Sequence, residues 1–180
     1  MSDRGTILVV EDDENDRLLL LKAFQEVGVT NPVQVLHNGA EAIHYLKGEY
    51  PYQDRTKHPL PRLMLLDVKM PICNGFEVLA WRQTQPNLQS LAVVVLSGSC
   101  LSSDSEKALD LGATAFCEKP VGLSRLIELV KELREDYLER GKRTTSTKLL
   151  HCKARTLMPW AWLAIAGEVL KEFSAPIEVI

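Results

Sequence analysis

The chain has 180 residues, a formal net charge of −3, 46% apolar residues and 25% charged ones. That balance suits one water-soluble globular domain with room for an appendage, long enough to bury a core without metal or disulfide staples. It argues against a dedicated nucleic-acid binder, and no apolar run reaches the roughly 18 residues of a membrane span.

Ile7-Leu8-Val9-Val10 reads as a buried strand that runs directly into Glu11-Asp12-Asp13-Glu14. Acids between a strand and a helix suit N-cap positions and the positive end of the helix dipole. The helix that follows places Leu18, Leu21, Phe24 and Val27 at helical spacing and stops at Gly28. Val33, Val35 and Leu36 form a short second strand, and Asn38-Gly39 opens a helix with Ala42, Ile43, Tyr45 and Leu46 on its apolar side, closed near Gly48. Residues 48–61, with three prolines, a glycine and several charges, read as an irregular surface loop. Leu63-Met64-Leu65-Leu66 is a strand apolar on both faces, and it ends at Asp67 with Pro71 soon after.

Asn74-Gly75 precedes a helix carrying Phe76, Val78, Leu79 and Trp81. Leu91 to Leu96 is a fourth buried strand, which stops at Ser97-Gly98-Ser99. A short helix through Ala108 and Leu111 ends at Gly112, and Ala113 to Cys117 is a fifth strand ended by Glu118-Lys119-Pro120. Residues 121–139 predict an amphipathic helix with Leu123, Leu126, Ile127, Val130, Leu133, Tyr137 and Leu138 on one side. Five strands alternating with helices predict an α/β fold. It has a five-stranded parallel doubly wound sheet in the flavodoxin-like order 2-1-3-4-5, with right-handed crossovers.

All carboxyl ends of a parallel sheet emerge on one edge. In this order the first strand brings Glu11 and Asp12 beside Asp67 of the third, while the fourth brings Ser97 and the fifth Lys119. Carboxylates about 5 Å apart repel by about 3 kcal/mol per pair at an effective dielectric of ~20. A structural site would not gather three of them without compensation. A hard divalent cation is the natural counter-charge, and Mg²⁺ takes one or two carboxylates plus waters and phosphate oxygens. Lys119 adds a point charge suited to a phosphoryl oxygen, and the Ser97 hydroxyl adds a hydrogen-bond donor. A carboxylate can also accept a phosphoryl group as an acyl phosphate.

These residues resemble the receiver domains of two-component response regulators. The resemblance rests on the acidic pair in Leu8-Val9-Val10-Glu11-Asp12, on Leu65-Leu66-Asp67 with Met70-Pro71 and Gly75, on Ser97 after a valine-rich strand, and on Lys119-Pro120. It spans roughly residues 5–139, and the loop at 48–61 with Lys69-Met70-Pro71 is most similar to single-domain receivers related to cyanobacterial phytochrome response regulators. The resemblance implies that Asp67 accepts a phosphoryl group from a partner histidine kinase or histidine phosphotransfer protein. It implies that Glu11, Asp12, Asp67 and the main-chain carbonyl of Lys69 hold Mg²⁺ and that Lys119 pairs with the phosphoryl group. Ser97 and Phe116 are then the switch hydroxyl and switch aromatic, acting on the surface of residues 100–139, which is also the face for a homodimer. The Lys69 side chain would stand where water approaches the phosphoaspartate.

The expected organisation is a receiver domain over 1–139 and an extension over 140–180. Within that extension, residues 142–155 carry Lys142, Arg143, Lys148, Lys153 and Arg155 and no acid, and Leu157 to Phe173 is apolar almost all round. A helix docked on the receiver or on a second copy, a segment for a membrane surface or partner groove, and a segment without settled structure all fit that pattern. No DNA-binding signature is present, so DNA binding is not expected. Cys73, Cys100, Cys117 and Cys152 lack metal or redox spacing and, with no secretory signal, read as reduced thiols of a cytoplasmic protein. Two other readings compete. An aspartyl-phosphate phosphatase of the haloacid-dehalogenase type needs a second aspartate two residues after the nucleophile, where Lys69 stands. A pseudo-receiver scaffold predicts loss of one of Glu11, Asp12, Asp67 or Lys119, and all four are present.

Overall fold

The computed structural model describes residues 5–98 and 102–139. Five parallel strands, β1 (Thr6–Val10), β2 (Val33–Leu36), β3 (Pro61–Asp67), β4 (Ala92–Ser97) and β5 (Ala115–Glu118), form one sheet in the order β2-β1-β3-β4-β5. The connecting helices are α1 (Glu14–Val27), α2 (Gly39–Lys47), α3 (Gly75–Gln83), α4 (Ser102–Asp110) and α5 (Leu123–Leu133). The expected fold class and strand order therefore both hold. Residues 140–180, including Cys152 and the apolar run, and Cys100 lie outside the described residues.

Alternation along the strands sorts the core into two layers. Ile7, Val9, Leu63, Leu65, Val94, Leu96, Ala115 and Cys117 pack toward α1 and α5. Leu8, Val10, Met64, Leu66, Val93, Val95 and Phe116 pack toward α2, α3 and α4. Register pairs Val9 with Leu65, Leu65 with Val94, and Val95 with Phe116, so each layer is continuous across the sheet.

The apolar stripe of α1 differs from the expectation. Leu18 is 59% exposed, whereas Leu20, Ala23 and Phe24 are buried. Four leucines in a row, Leu18 to Leu21, leave the face of this helix undetermined by periodicity, and packing against α5 selects the Leu20 side. The helix is capped by Asp13, whose side chain accepts the Asp16 N–H, so Glu11 and Asp12 are not its caps. The last predicted helix starts at Leu123 and is α-helical to Leu133, after which Arg134–Glu139 winds as a π-helix that buries Tyr137.

Two interior contacts hold the ends of the elements. Arg82, on the inner side of α3 and only 4% exposed, donates to the carbonyls of Gln89, Leu91 and Gly112 at 2.9–3.1 Å. The loop of residues 48–60 is less irregular than its composition suggests. Arg55 donates to the Tyr45, Leu46 and His58 carbonyls, closing the end of α2, while the rings of Tyr45, Tyr52 and His58 meet in tilted and edge-to-face contacts.

Gly75 opens α3 directly behind Asp67. Its N–H donates to the Val68 carbonyl, and a Cβ added there would lie 2.3 Å from the Asp67 carbonyl oxygen. The neighbour is backbone, which has nowhere to move without shifting the end of β3. Gly75→Ala is expected to lower unfolding stability by about 2 kcal/mol, read as a shift of the denaturant midpoint at unchanged slope. An unchanged midpoint would show that the loop after Asp67 yields freely.

Candidate functional site

The carboxyl edge of the sheet gathers the charged groups because the apolar alternation of three strands ends on them. Glu11 follows Ile7 and Val9, Asp67 follows Leu63 and Leu65, and Lys119 follows Ala115 and Cys117, all on the α1–α5 side. Ser97 follows Val93 and Val95 and therefore falls on the opposite side, the side of Phe116. The switch from sheet to loop at β1 and β5 is held by backbone bonds. Glu11 N–H donates to the Leu36 carbonyl at 3.0 Å, and Lys119 N–H donates to the Ser97 carbonyl at 2.7 Å.

Of the residues named from sequence, Glu11, Asp12, Asp67 and Lys119 lie together at its centre. Ligand oxygens of Glu11, Asp12 and Asp67 lie within 4.8 Å of one another. Glu11 and Asp67 are each 5% exposed, while Asp12 stands open to solvent. The Lys119 ammonium bridges the buried pair, 2.7 Å from Glu11 Oε2 and 3.0 Å from Asp67 Oδ1. Asp67 Oδ2 accepts the Lys69 N–H at 3.0 Å, an Asx turn that fixes the carboxylate and leaves the Lys69 side chain exposed. Ser97 is fully buried, and Phe116 is buried in the core below α4.

Burial pushes the Glu11 carboxyl above its ordinary value, and the Lys119 ammonium only partly offsets this. Burial alone would lower Lys119, but its bonds to Glu11 and Asp67 outweigh that and raise it. The lysine is therefore firmly charged.

Two residues belong to this site that the strand endings do not single out. Asp16, in the first turn of α1, places Oδ2 at 3.0 Å from the same Lys119 nitrogen. Arg17 Nη1 donates to the Glu11 carbonyl at 3.1 Å and to the Asp12 carbonyl at 2.6 Å, clamping the acidic turn from behind. In sequence both look like solvated charges of an amphipathic helix.

An all-oxygen donor set with one open side fits a hard divalent cation, which takes carboxylates and keeps waters. Buried carboxylates at a parallel-sheet edge with a bridging lysine are the kind of site that suits phosphoryl chemistry at the carboxyl ends of the strands. Residues 7–131 match the family model described as response regulator receiver domain, and the chain belongs to that family. Its members are response regulators of two-component signalling.

The chain is 31% identical over 136 residues to the probable methanogenesis regulatory protein FilR2 of Methanothrix harundinacea, covering 76% of this chain and 85% of that one. It is 29% identical over 143 residues to response regulator Rcp1 of Synechocystis, covering 77% and 95% respectively. The Mn²⁺-bound crystal structure of Rcp1 superposes with a TM-score of 0.68 at 28% identity, covering 80% of this chain and 99% of that one. The crystal structure of the phosphorylated cyanobacterial phytochrome response regulator RcpA gives 0.70 at 34% identity, covering 76% and 95%. The resemblance to the cyanobacterial phytochrome response regulators thus holds in both sequence and structure. Among the described residues, no helix is long and apolar enough to cross a membrane.

Proposed function

We propose that Asp67 accepts a phosphoryl group from a histidine kinase or a histidine phosphotransfer protein, and that the modified site switches protein contacts of this chain in the cytoplasm. The observation that carries this reading is the buried Asp67 carboxylate tied to Lys119, with Glu11 and Asp12 within 4.8 Å. An Asp67 carboxylate oxygen forms a bond to phosphorus as the P–N bond of the donor imidazole breaks, and that bond's electron pair stays on the departing nitrogen. Attack of water on phosphorus later releases inorganic phosphate and restores the carboxylate, so the chemistry is limited to self-phosphorylation and self-dephosphorylation.

Glu11, Asp12, Asp67 and the Lys69 carbonyl are the residues that would hold Mg²⁺; the similar protein Rcp1 has been crystallised in a Mn²⁺-bound form. The cation would supply charge neutralisation for the transferred group. Lys119 donates to a phosphoryl oxygen and is firmly charged for that purpose. Lys69, exposed beside the acceptor, stands on the path of incoming water.

Ser97 and Phe116 are read as the switch pair. Both are buried, and both lie on the side of the sheet that carries α4. A hydroxyl drawn toward the phosphoryl group would leave room for the ring, changing the surface of α4, β5 and α5 for a partner or a second copy of the chain. Residues 1–139 are taken as the receiver unit and 140–180 as its extension.

Intact mass after incubation of the full chain with Mg²⁺ and acetyl phosphate tests the reading. The wild type is expected to gain one phosphoryl group, and Asp67→Asn none. A gain that survives Asp67→Asn would move the acceptor elsewhere, and no gain in the wild type would favour a phosphorylation-independent scaffold.

A further inference from the structure

We propose that Asp16 is a positioning residue that holds Lys119 in the unphosphorylated protein and competes with the phosphoryl group for it. The inference rests on the reading of Asp67 as acceptor. Asp16 occupies the third position of α1, three residues after its cap Asp13. An acid there ordinarily turns back to the N–H of the cap residue and closes a capping box. Here the Asp13 N–H is taken by Glu11 Oε1 at 3.2 Å. The Asp16 carboxylate instead reaches a residue 103 positions away, with Oδ2 at 3.0 Å from Lys119 Nζ.

An ammonium has three N–H donors and no acceptor. The Lys119 nitrogen has three carboxylate oxygens within 3.0 Å, on Glu11, Asp67 and Asp16. All three donors are therefore engaged, and a phosphoryl oxygen that approaches while Asp67 is still a carboxylate must displace one partner. At that stage Glu11 and Asp67 are both still buried carboxylates, and giving up the lysine would be a costly exchange for either. The Asp16 side chain is 46% exposed, so water receives it readily when the lysine turns away. Its negative charge also opposes an incoming anion. Asp16 thus stabilises the phosphoryl-free site more than the occupied one, and removing its charge shifts the balance toward occupancy.

The test is the initial rate of phosphoryl uptake from acetyl phosphate at saturating Mg²⁺, using the full chain. Asp16→Asn is expected to take up phosphoryl about threefold faster than the wild type, the scale of a half-exposed ion pair. Glu14→Gln removes a neighbouring exposed charge in the same turn and is expected to change the rate by roughly 1.3-fold at most. In the phosphoryl-free protein, the ¹⁵N resonance of the Lys119 ammonium should shift and exchange faster with water in Asp16→Asn but not in Glu14→Gln. An unchanged or slower Asp16→Asn, or an equal gain in Glu14→Gln, overturns the role of Asp16 while leaving Asp67 as acceptor. Failure of the wild type to take up phosphoryl overturns the reading of Asp67 and this inference with it.

Discussion

Lys119→Ala is expected to lower metal-free stability at pH 7.5 by about 3 kcal/mol, because it strips the counter-ion from two buried carboxylates. Glu11 and Asp67 are each 5% exposed and both bond the Lys119 ammonium. Water cannot solvate the pair in place, so the uncompensated charge raises the energy of the folded state. Glu11 is already pushed up by burial with the lysine present. Without it the Glu11 carboxyl is pushed higher still, above the unfolded value of about 4. A raised carboxyl contributes stability below its unfolded value and loses it as pH rises through the folded one.

The gap between variant and wild type therefore widens from pH 5 to pH 8. The wild-type lysine is itself raised, so its contribution persists through neutrality and is lost only well into alkali. Denaturant titrations at pH 5 and pH 8, each with and without Mg²⁺, measure this. Millimolar Mg²⁺ should restore much of the loss by standing in for the missing charge. Phosphoryl uptake should still fall by about 100-fold, since a fixed donor to the transferred group is gone. A variant equally stable at both pH values would show that the carboxylates reach water despite their burial.

Arg82→Leu should cost a further large amount, about 3 kcal/mol, through a different mechanism. Its guanidinium links the end of α3, the turn before β4 and the turn before β5, through the carbonyls of Gln89, Leu91 and Gly112. The bond to the Leu91 carbonyl is buried, so that acceptor is left without solvent when the fork is removed, and the half-buried Gly112 carbonyl is poorly served. Arg82→Lys should recover only part of the loss, because one ammonium cannot span three carbonyls placed for a planar fork. In a chain of this size the thermal midpoint should drop by about 10 °C. Phosphoryl uptake at low temperature should stay near that of the wild type, since these turns lie at the edge of the sheet opposite Asp67. A midpoint unmoved by Arg82→Leu would mean that water replaces the guanidinium at no cost.

The legible part of the site is the part written as strand endings. Glu11, Asp67, Ser97 and Lys119 each close an apolar run, and in a parallel sheet every such ending reaches one edge. The αL glycines at Gly28 and Gly48 likewise mark the ends of α1 and α2 from local chemistry alone. Leu18 falls on the wrong face in the sequence because four consecutive leucines satisfy any helical face. Asp16 and Arg82 are hidden there for a common reason. A charge on an amphipathic helix reads as solvated unless its partner is known, and the partners lie 103 and up to 30 positions away.

From its sequence alone the chain determined its alternating elements, their order in the sheet and the set of groups delivered to the carboxyl edge. These follow from periodicity, capping and the handedness of crossovers, all of which act over short stretches. Only the tertiary structure decided which of the acids share the Lys119 ammonium, which side of α1 is buried and where the Arg82 charge is satisfied. Those depend on distances between elements remote in the chain. Ion pairing and burial respond to position in space, and a local pattern does not carry that information.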